Sequence, residues 1–189
     1  GSEMCIRDRW IMPVYTDACS VAGVKTTSRA IEYFEPPEMT ALLAAPSGSS
    51  KTDRRNQMML IFLYDTAARV AEARQVKVSD LHLDAEVPYV TLLGKGRKYR
   101  NIPLMEKTIH HLKRYLKDFH GSDSKTDRPL FYSKAHGLVH ELSSDTFEKM
   151  IKRYAAKCRA DGYPMPDHVH CHICLLYTSP SPRDGATSR

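Results

Sequence analysis

Two hydrophobic periods alternate along the middle of this chain, and together they predict an α+β, mostly helical domain carrying a small antiparallel sheet. Ile31-Glu32-Tyr33-Phe34 is a short extended piece leading into Pro36-Pro37-Glu38. Proline in a first turn followed by an early glutamate starts helices, so Pro37 to about Ala45 is predicted helical. Pro46-Ser47-Gly48-Ser49-Ser50 breaks the pattern. Asp53 then suits the N-cap of a long helix through Tyr64, buried nearly all round because its second half is almost wholly apolar. A turn carrying Thr66 to Arg69 and a further helix of about Val70 to Gln75 are expected next.

Val87 to Leu93 and Tyr99 to Leu104 are β-favouring runs flanking Gly94-Lys95-Gly96-Arg97-Lys98, which predicts a hairpin with a flexible, strongly basic tip. Glu106 to Phe119 places Ile109, Leu112, Leu116 and Phe119 at helical spacing, with lysines and histidines opposite. Gly121 to Arg128 is a polar loop. Leu130 to Ser133 and Leu138 to His140 flank Lys134-Ala135-His136-Gly137 as a further small hairpin. Ser143 or Ser144 caps a helix with Phe147, Met150, Ile151, Tyr154 and Cys158 inside, ending near Gly162. Phe62, Tyr64, Phe147, Met150 and Tyr154 are expected in the core, with no cofactor implied. Pro164-Met165-Pro166-Asp167 breaks the chain again, and there is no internal repeat.

Composition bounds this picture. With 189 residues, 42% of them hydrophobic, the chain is long enough for one domain with a real core. A formal charge of +6 and a pI of about 9.1 suit a polyanionic partner. No apolar run is long enough to span a membrane, so no membrane association is expected. Five cysteines in no regular spacing do not form a disulfide framework, and a reducing cytoplasm is the expected setting.

Both ends of the sequence look foreign to the rest. Glu3-Met4-Cys5-Ile6-Arg7-Asp8 and Cys174-Leu175-Leu176-Tyr177-Thr178-Ser179 can be encoded by nearly reverse-complementary DNA matching a transposon mosaic-end library adaptor. Residues 1–9 and 174–189 are therefore expected to be adaptor-derived, residues 10–30 a linker, and residues 31–173 the domain proper, truncated at both ends. Removing the two foreign ends takes away four basic and three acidic residues, so the basic character persists.

The chemistry concentrates in Thr66-Ala67-Ala68-Arg69-Val70-Ala71-Glu72 and in Leu92-Leu93-Gly94-Lys95-Gly96-Arg97-Lys98-Tyr99-Arg100. An arginine at the end of a buried segment is costly without an anionic partner, and Glu72 lies one turn on. Arg69 is thus held by Glu72 and still free to face a ligand. The earlier run resembles the opening catalytic box of the tyrosine recombinase (phage integrase) family, a Thr-Gly-x-Arg-x-x-Glu-like motif. The later run resembles that family's lysine-bearing hairpin. The resemblance extends over roughly Ile31 to His172.

That resemblance implies a function: breaking and rejoining duplex DNA through a 3′-phosphotyrosyl link, with no metal or other cofactor. It implies that Arg69 neutralises the scissile phosphate, for which a planar, permanently charged fork is suited. It makes Lys95 the acid for the leaving 5′-oxygen. Glu72 would support Arg69, and Arg97, Lys98 and Arg100 would bind DNA. His172 falls where the family's His-x-x-Arg box opens, but Leu175 stands at the arginine position. No tyrosine matches the family's nucleophile, and Tyr177 lies too near His172. The fragment alone is therefore expected not to cleave, although the family assembles as a tetramer on DNA.

Two other readings follow from the same residues. One is a non-catalytic basic DNA-binding module or decayed recombinase. The other is a zinc-bound tail using His168, His170, Cys171, His172 and Cys174. The spacing of those five fits neither paired Cys-x-x-Cys nor His-x-x-x-His, so no metal site is expected.

Overall fold

The computed structural model describes residues 34–46, 50–121 and 127–169. Four longer helices build the body: α1 (Pro36–Ala44), α2 (Lys51–Thr66), α4 (Glu106–Phe119) and α5 (Ser144–Ala160), with a one-turn helix α3 (Val70–Ala73) directly after α2. The strands are β1 (Leu81–His82), β2 (Tyr89–Leu93), β3 (Tyr99–Pro103), β4 (Tyr132–Ala135) and β5 (Leu138–Glu141). They form an antiparallel sheet in the order β1-β2-β3 and a separate β4-β5 hairpin.

Helix starts follow their local chemistry. At α1 the Glu35 N–H donates to Glu38 Oε2 (2.8 Å), while Pro36 and Pro37 occupy positions whose N–H groups would find no helical partner. At α2 the N-cap is Ser50, whose Oγ accepts from the Asp53 N–H at 3.0 Å. This corrects the expectation for Asp53: it sits one turn inside, where its charge favours the positive end of the helix. At α5 Ser143 is the N-cap, its Oγ accepting from the Thr146 N–H. The burial predicted for α2 holds in its second half, where Met58, Met59, Leu60, Phe62 and Leu63 are buried, whereas Lys51 and Thr52 at its start are exposed.

Phe62, Phe131 and Phe147 are fully buried and meet edge to face, with ring centroids 5.5 and 6.3 Å apart across the two pairs. Each buries enough apolar surface to stabilise the fold by about 1.5–3 kcal/mol. Helix α2 packs on α4, and α1 lies against α2 and α5. A polar bridge joins α2 to α5: Asn56 Nδ2 donates to the Tyr154 hydroxyl (3.2 Å), which donates to Asp53 Oδ1 (2.9 Å). The expected core residues Phe62, Phe147, Met150 and Tyr154 are buried, and Tyr64 is partly buried against them.

The hairpins differ from expectation in detail. The β2-β3 hairpin begins at Tyr89 rather than Val87, which is exposed, and β1 adds a third strand whose two residues carry no alternation to read. The β4-β5 hairpin has a two-residue turn, His136-Gly137, both with positive φ; Lys134 and Ala135 belong to β4 instead of to the tip. Such a turn matches the twist of the flanking strands. Helix α3 stops at Ala73, short of the expected Gln75. Among the described residues no helix is long and apolar enough to cross a membrane. The expected linker, both foreign ends and His172 lie outside the described residues, as do the other members of the His/Cys cluster except His168.

Candidate functional site

The site begins where α2 ends. Thr66 is buried and turns its hydroxyl back to the Phe62 carbonyl (2.7 Å), while its Oγ accepts the Ala68 N–H (3.3 Å). Ala67 takes a left-handed conformation, φ 47° and ψ 33°, which stops the helix. A side chain with a Cβ adopts that region at a cost, which is the physical sense of a glycine in the corresponding family motif. Ala68, fully buried, anchors the turn, and Arg69 follows in extended conformation as the N-cap of α3.

Glu72 is the hub. Its side chain is only 5% exposed, and both carboxylate oxygens are engaged. Oε2 accepts the Arg69 backbone N–H at 2.8 Å and Arg100 Nη2 at 2.6 Å. Oε1 accepts Arg69 Nη1 at 3.2 Å. A buried carboxylate requires such neutralisation, and here it meets two guanidinium groups and a backbone donor. The arginine side chains stand further out: Arg69 is 62% exposed and Arg100 41%.

The basic hairpin is rooted against the same carboxylate. Strands β2 and β3 pair from Tyr89↔Pro103 to Leu93↔Tyr99, and the Gly94 N–H closes the tip on the Lys98 carbonyl (2.8 Å). A Cβ built at Gly94 would stand 3.5 Å from Glu72 Oε1, an ordinary contact that marks how near the hairpin comes. The tip takes the form of a single turn, Lys95–Arg97, with Gly96 at φ 75° and Arg97 at φ 58°. Lys95, Arg97 and Lys98 are exposed and form no ion pair among the described residues. Strand β3 carries Arg100 back towards Glu72.

The fold therefore brings together Arg69, Glu72, Arg100 and the root of the Lys95 hairpin. Arg97 and Lys98 are exposed with the tip, while Arg100, grouped with them in sequence, is committed to Glu72. That pairing spans 28 residues, and no periodicity or motif could have announced it. Chemically, a largely exposed guanidinium that gives one nitrogen to a buried carboxylate and keeps its other donors for a ligand, beside a row of exposed cations, can bind a phosphodiester. Among the described residues no group of three or more His, Cys, Asp or Glu side chains is arranged to hold a metal ion.

Comparison with known proteins agrees with this geometry. The phage integrase family model matches residues 32–174. The tyrosine recombinase XerD of Halalkalibacterium halodurans is 33% identical over 149 residues, covering 78% of this chain and 48% of that protein. XerD of Yersinia pestis is 30% identical over 159 residues, covering 80% of this chain and 50% of that protein. The chain thus spans about half the length of these curated relatives. Among solved structures, the XerH site-specific recombinase bound to palindromic difH substrate superposes with a TM-score of 0.64 at 22% identity, covering 82% of this chain and 44% of that one. The lambda integrase catalytic core gives 0.56 at 17% identity, covering 77% of this chain and 80% of that one. The chain belongs to the phage integrase family and has the fold of a tyrosine recombinase catalytic domain.

Proposed function

We propose that this domain serves site-specific DNA recombination or integration, acting on the phosphodiester backbone of duplex DNA. The observation that carries the reading is the disposition of Arg69, largely exposed yet oriented by buried Glu72 through its backbone N–H and one guanidinium nitrogen, beside the root of the Lys95 hairpin. Support comes also from the family match and from XerH, a relative in fold that is described bound to its difH substrate.

In this reading Arg69 forms paired hydrogen bonds to the non-bridging oxygens and offsets the charge that builds on them as a nucleophile adds. A tyrosine oxygen attacks phosphorus as its hydroxyl proton passes to a general base, the bond to the 5′-oxygen breaks, and Lys95 delivers the proton that this oxygen needs. The resulting 3′-phosphotyrosyl ester keeps the bond energy for rejoining. Arg97 and Lys98 contact neighbouring phosphates and hold register rather than read bases. No tyrosine of this chain matches the nucleophile, and Leu175 stands where the third box has arginine. We therefore assign cleavage to the complete protein, with His172 as its third-box histidine, and assign DNA binding to this chain. Several protomers acting together on paired sites, in the cytoplasm, belong to the same proposal.

A complete recombinase with this domain tests it. Arg69→Ala should lower strand cleavage at least about a hundredfold while leaving duplex binding within about tenfold. Lys95→Ala should slow cleavage, and a bridging 5′-phosphorothiolate, whose sulfur leaves without protonation, should restore most of the rate. Near-normal cleavage by the Arg69 variant would contradict the assignment. Another reading, a DNA-binding module without cleavage, draws on the three unpaired tip cations. It predicts duplex binding with no strand cleavage even in the complete protein.

A further inference from the structure

The three hydrogen bonds of Glu72 are unequal, and the inequality has a consequence for Arg69. Arg100 approaches Oε2 at 2.6 Å, whereas the side chain of Arg69 reaches Oε1 at 3.2 Å. One negative charge thus faces two positive ones, and the nearer cation is the one from β3. Were Arg100 absent, buried Glu72 would have Arg69 as its single cationic partner among the described residues. The attraction would tighten, and the charge that Arg69 offers to an incoming anion would be largely cancelled. With Arg100 present the cluster carries one net positive charge, and it lies on the more exposed guanidinium, that of Arg69.

We propose that Arg100 is a positioning residue, not a DNA contact: it neutralises Glu72 and so leaves Arg69 free to bind phosphate. The same link draws β3 onto α3 and holds the Lys95 hairpin over the carboxylate. The proposal rests on the reading that Arg69 receives a phosphate of duplex DNA, and it reverses the direct DNA-binding role that the sequence suggested for Arg100.

The test is whether the effect of removing Arg100 passes through Glu72. Duplex affinity of the full chain is measured at fixed salt for Arg100→Gln, made both in the unaltered chain and in a Glu72→Gln background. Arg100→Gln should weaken binding about tenfold where Glu72 is present, the equivalent of roughly one charge-assisted hydrogen bond. In the Glu72→Gln background the same change should cost less than about twofold. Equal losses in both backgrounds would make Arg100 a direct phosphate contact and overturn the proposal.

A separate measurement needs no variant to fold. Inorganic phosphate titrated into the ¹⁵N-labelled chain should shift the Arg69 Nε–H signal and leave that of Arg100 in place. Equal shifts at both, or none at Arg69, would also overturn it. If phosphate moves Arg69 but no duplex binds, the DNA reading fails while the role of Arg100 stands.

Discussion

Phe62 and Glu72 lie ten residues apart on the same stretch, yet the regions around them are held by different physics. Around Phe62 the contacts are apolar, fully buried and contributed by α2, α5 and the segment before β4. Around Glu72 a single buried carboxylate gathers half-exposed cations from the start of α3 and from β3. The apolar region gains stability from area removed from water. The charged region gains a surface that attracts anions, and its stability depends on one group being correctly paired. On the proposed reading, gripping DNA draws on both: a packed apolar core, and beside it a cluster whose partly exposed cations are oriented by one buried carboxylate.

Breaking each region in turn should give effects of different size. The largest is expected from Phe62→Ala, which empties a fully buried ring site beside Phe131 and should cost about 3–5 kcal/mol in denaturant unfolding. Glu72→Ala should cost less, about 1–3 kcal/mol, because the arginines it strands can turn to water whereas the phenylalanine cavity cannot fill. A loss for Glu72→Ala as large as that for Phe62→Ala would mean that the charged cluster is itself part of the core.

His120 offers a pH-dependent probe of the apolar side. It is buried, its Nε2–H donates to the Leu130 carbonyl at 3.1 Å, and its Nδ1 has no partner among the described residues. Burial holds its pKa below the ordinary imidazole value, partly opposed by that hydrogen bond. A lowered histidine pKa means that the unfolded chain binds the proton more readily. Stability is therefore complete above the unfolded value, about 6.5, and falls as the pH drops through it towards the folded value. His120→Gln should flatten the decline in unfolding free energy between neutral and mildly acidic pH by up to about 1.4 kcal/mol per pH unit. An unchanged slope would place the acid sensitivity elsewhere.

Smaller changes sharpen the comparison. Ala67→Gly should raise stability by up to about 1 kcal/mol, since glycine adopts the left-handed turn before Arg69 without a Cβ penalty. A melting temperature that falls would show that the turn is held mainly by Ala67's own packing. Lys152→Ala removes an exposed one-turn pair with Glu148 and should change stability by less than about 0.5 kcal/mol in the same unfolding measurement. Glu148 and Lys152 meet in water whereas Glu72 is buried, and that difference in burial separates the two expected effects.

Much of the apolar region was legible in the sequence because its signal is local. The spacing of Ile109, Leu112, Leu116 and Phe119 gives α4 its observed bounds, and Ser143 reads as a cap because its hydroxyl serves a donor three residues on. Asp53 misled because aspartate is favoured both at the cap and in the first turn, and only the geometry of Ser50 decides between them. The two-residue strand β1 is too short to alternate. At the site, Arg69 and Glu72 were legible as an i, i+3 pair in a motif. Arg100 was not, since three neighbouring basic residues look alike in sequence and only strand pairing turns one of them towards Glu72.

The most direct measurement is the salt dependence of duplex DNA binding by this chain, compared with a Lys95→Gln, Arg97→Gln, Lys98→Gln variant. If these unpaired tip cations meet phosphates, the slope of log affinity against log salt should become shallower by about 2–3, close to one for each phosphate no longer neutralised, with folding unchanged. An identical slope, or no salt-dependent binding by the unaltered chain, would contradict a phosphate-gripping role for the hairpin and with it the proposed recombinase chemistry.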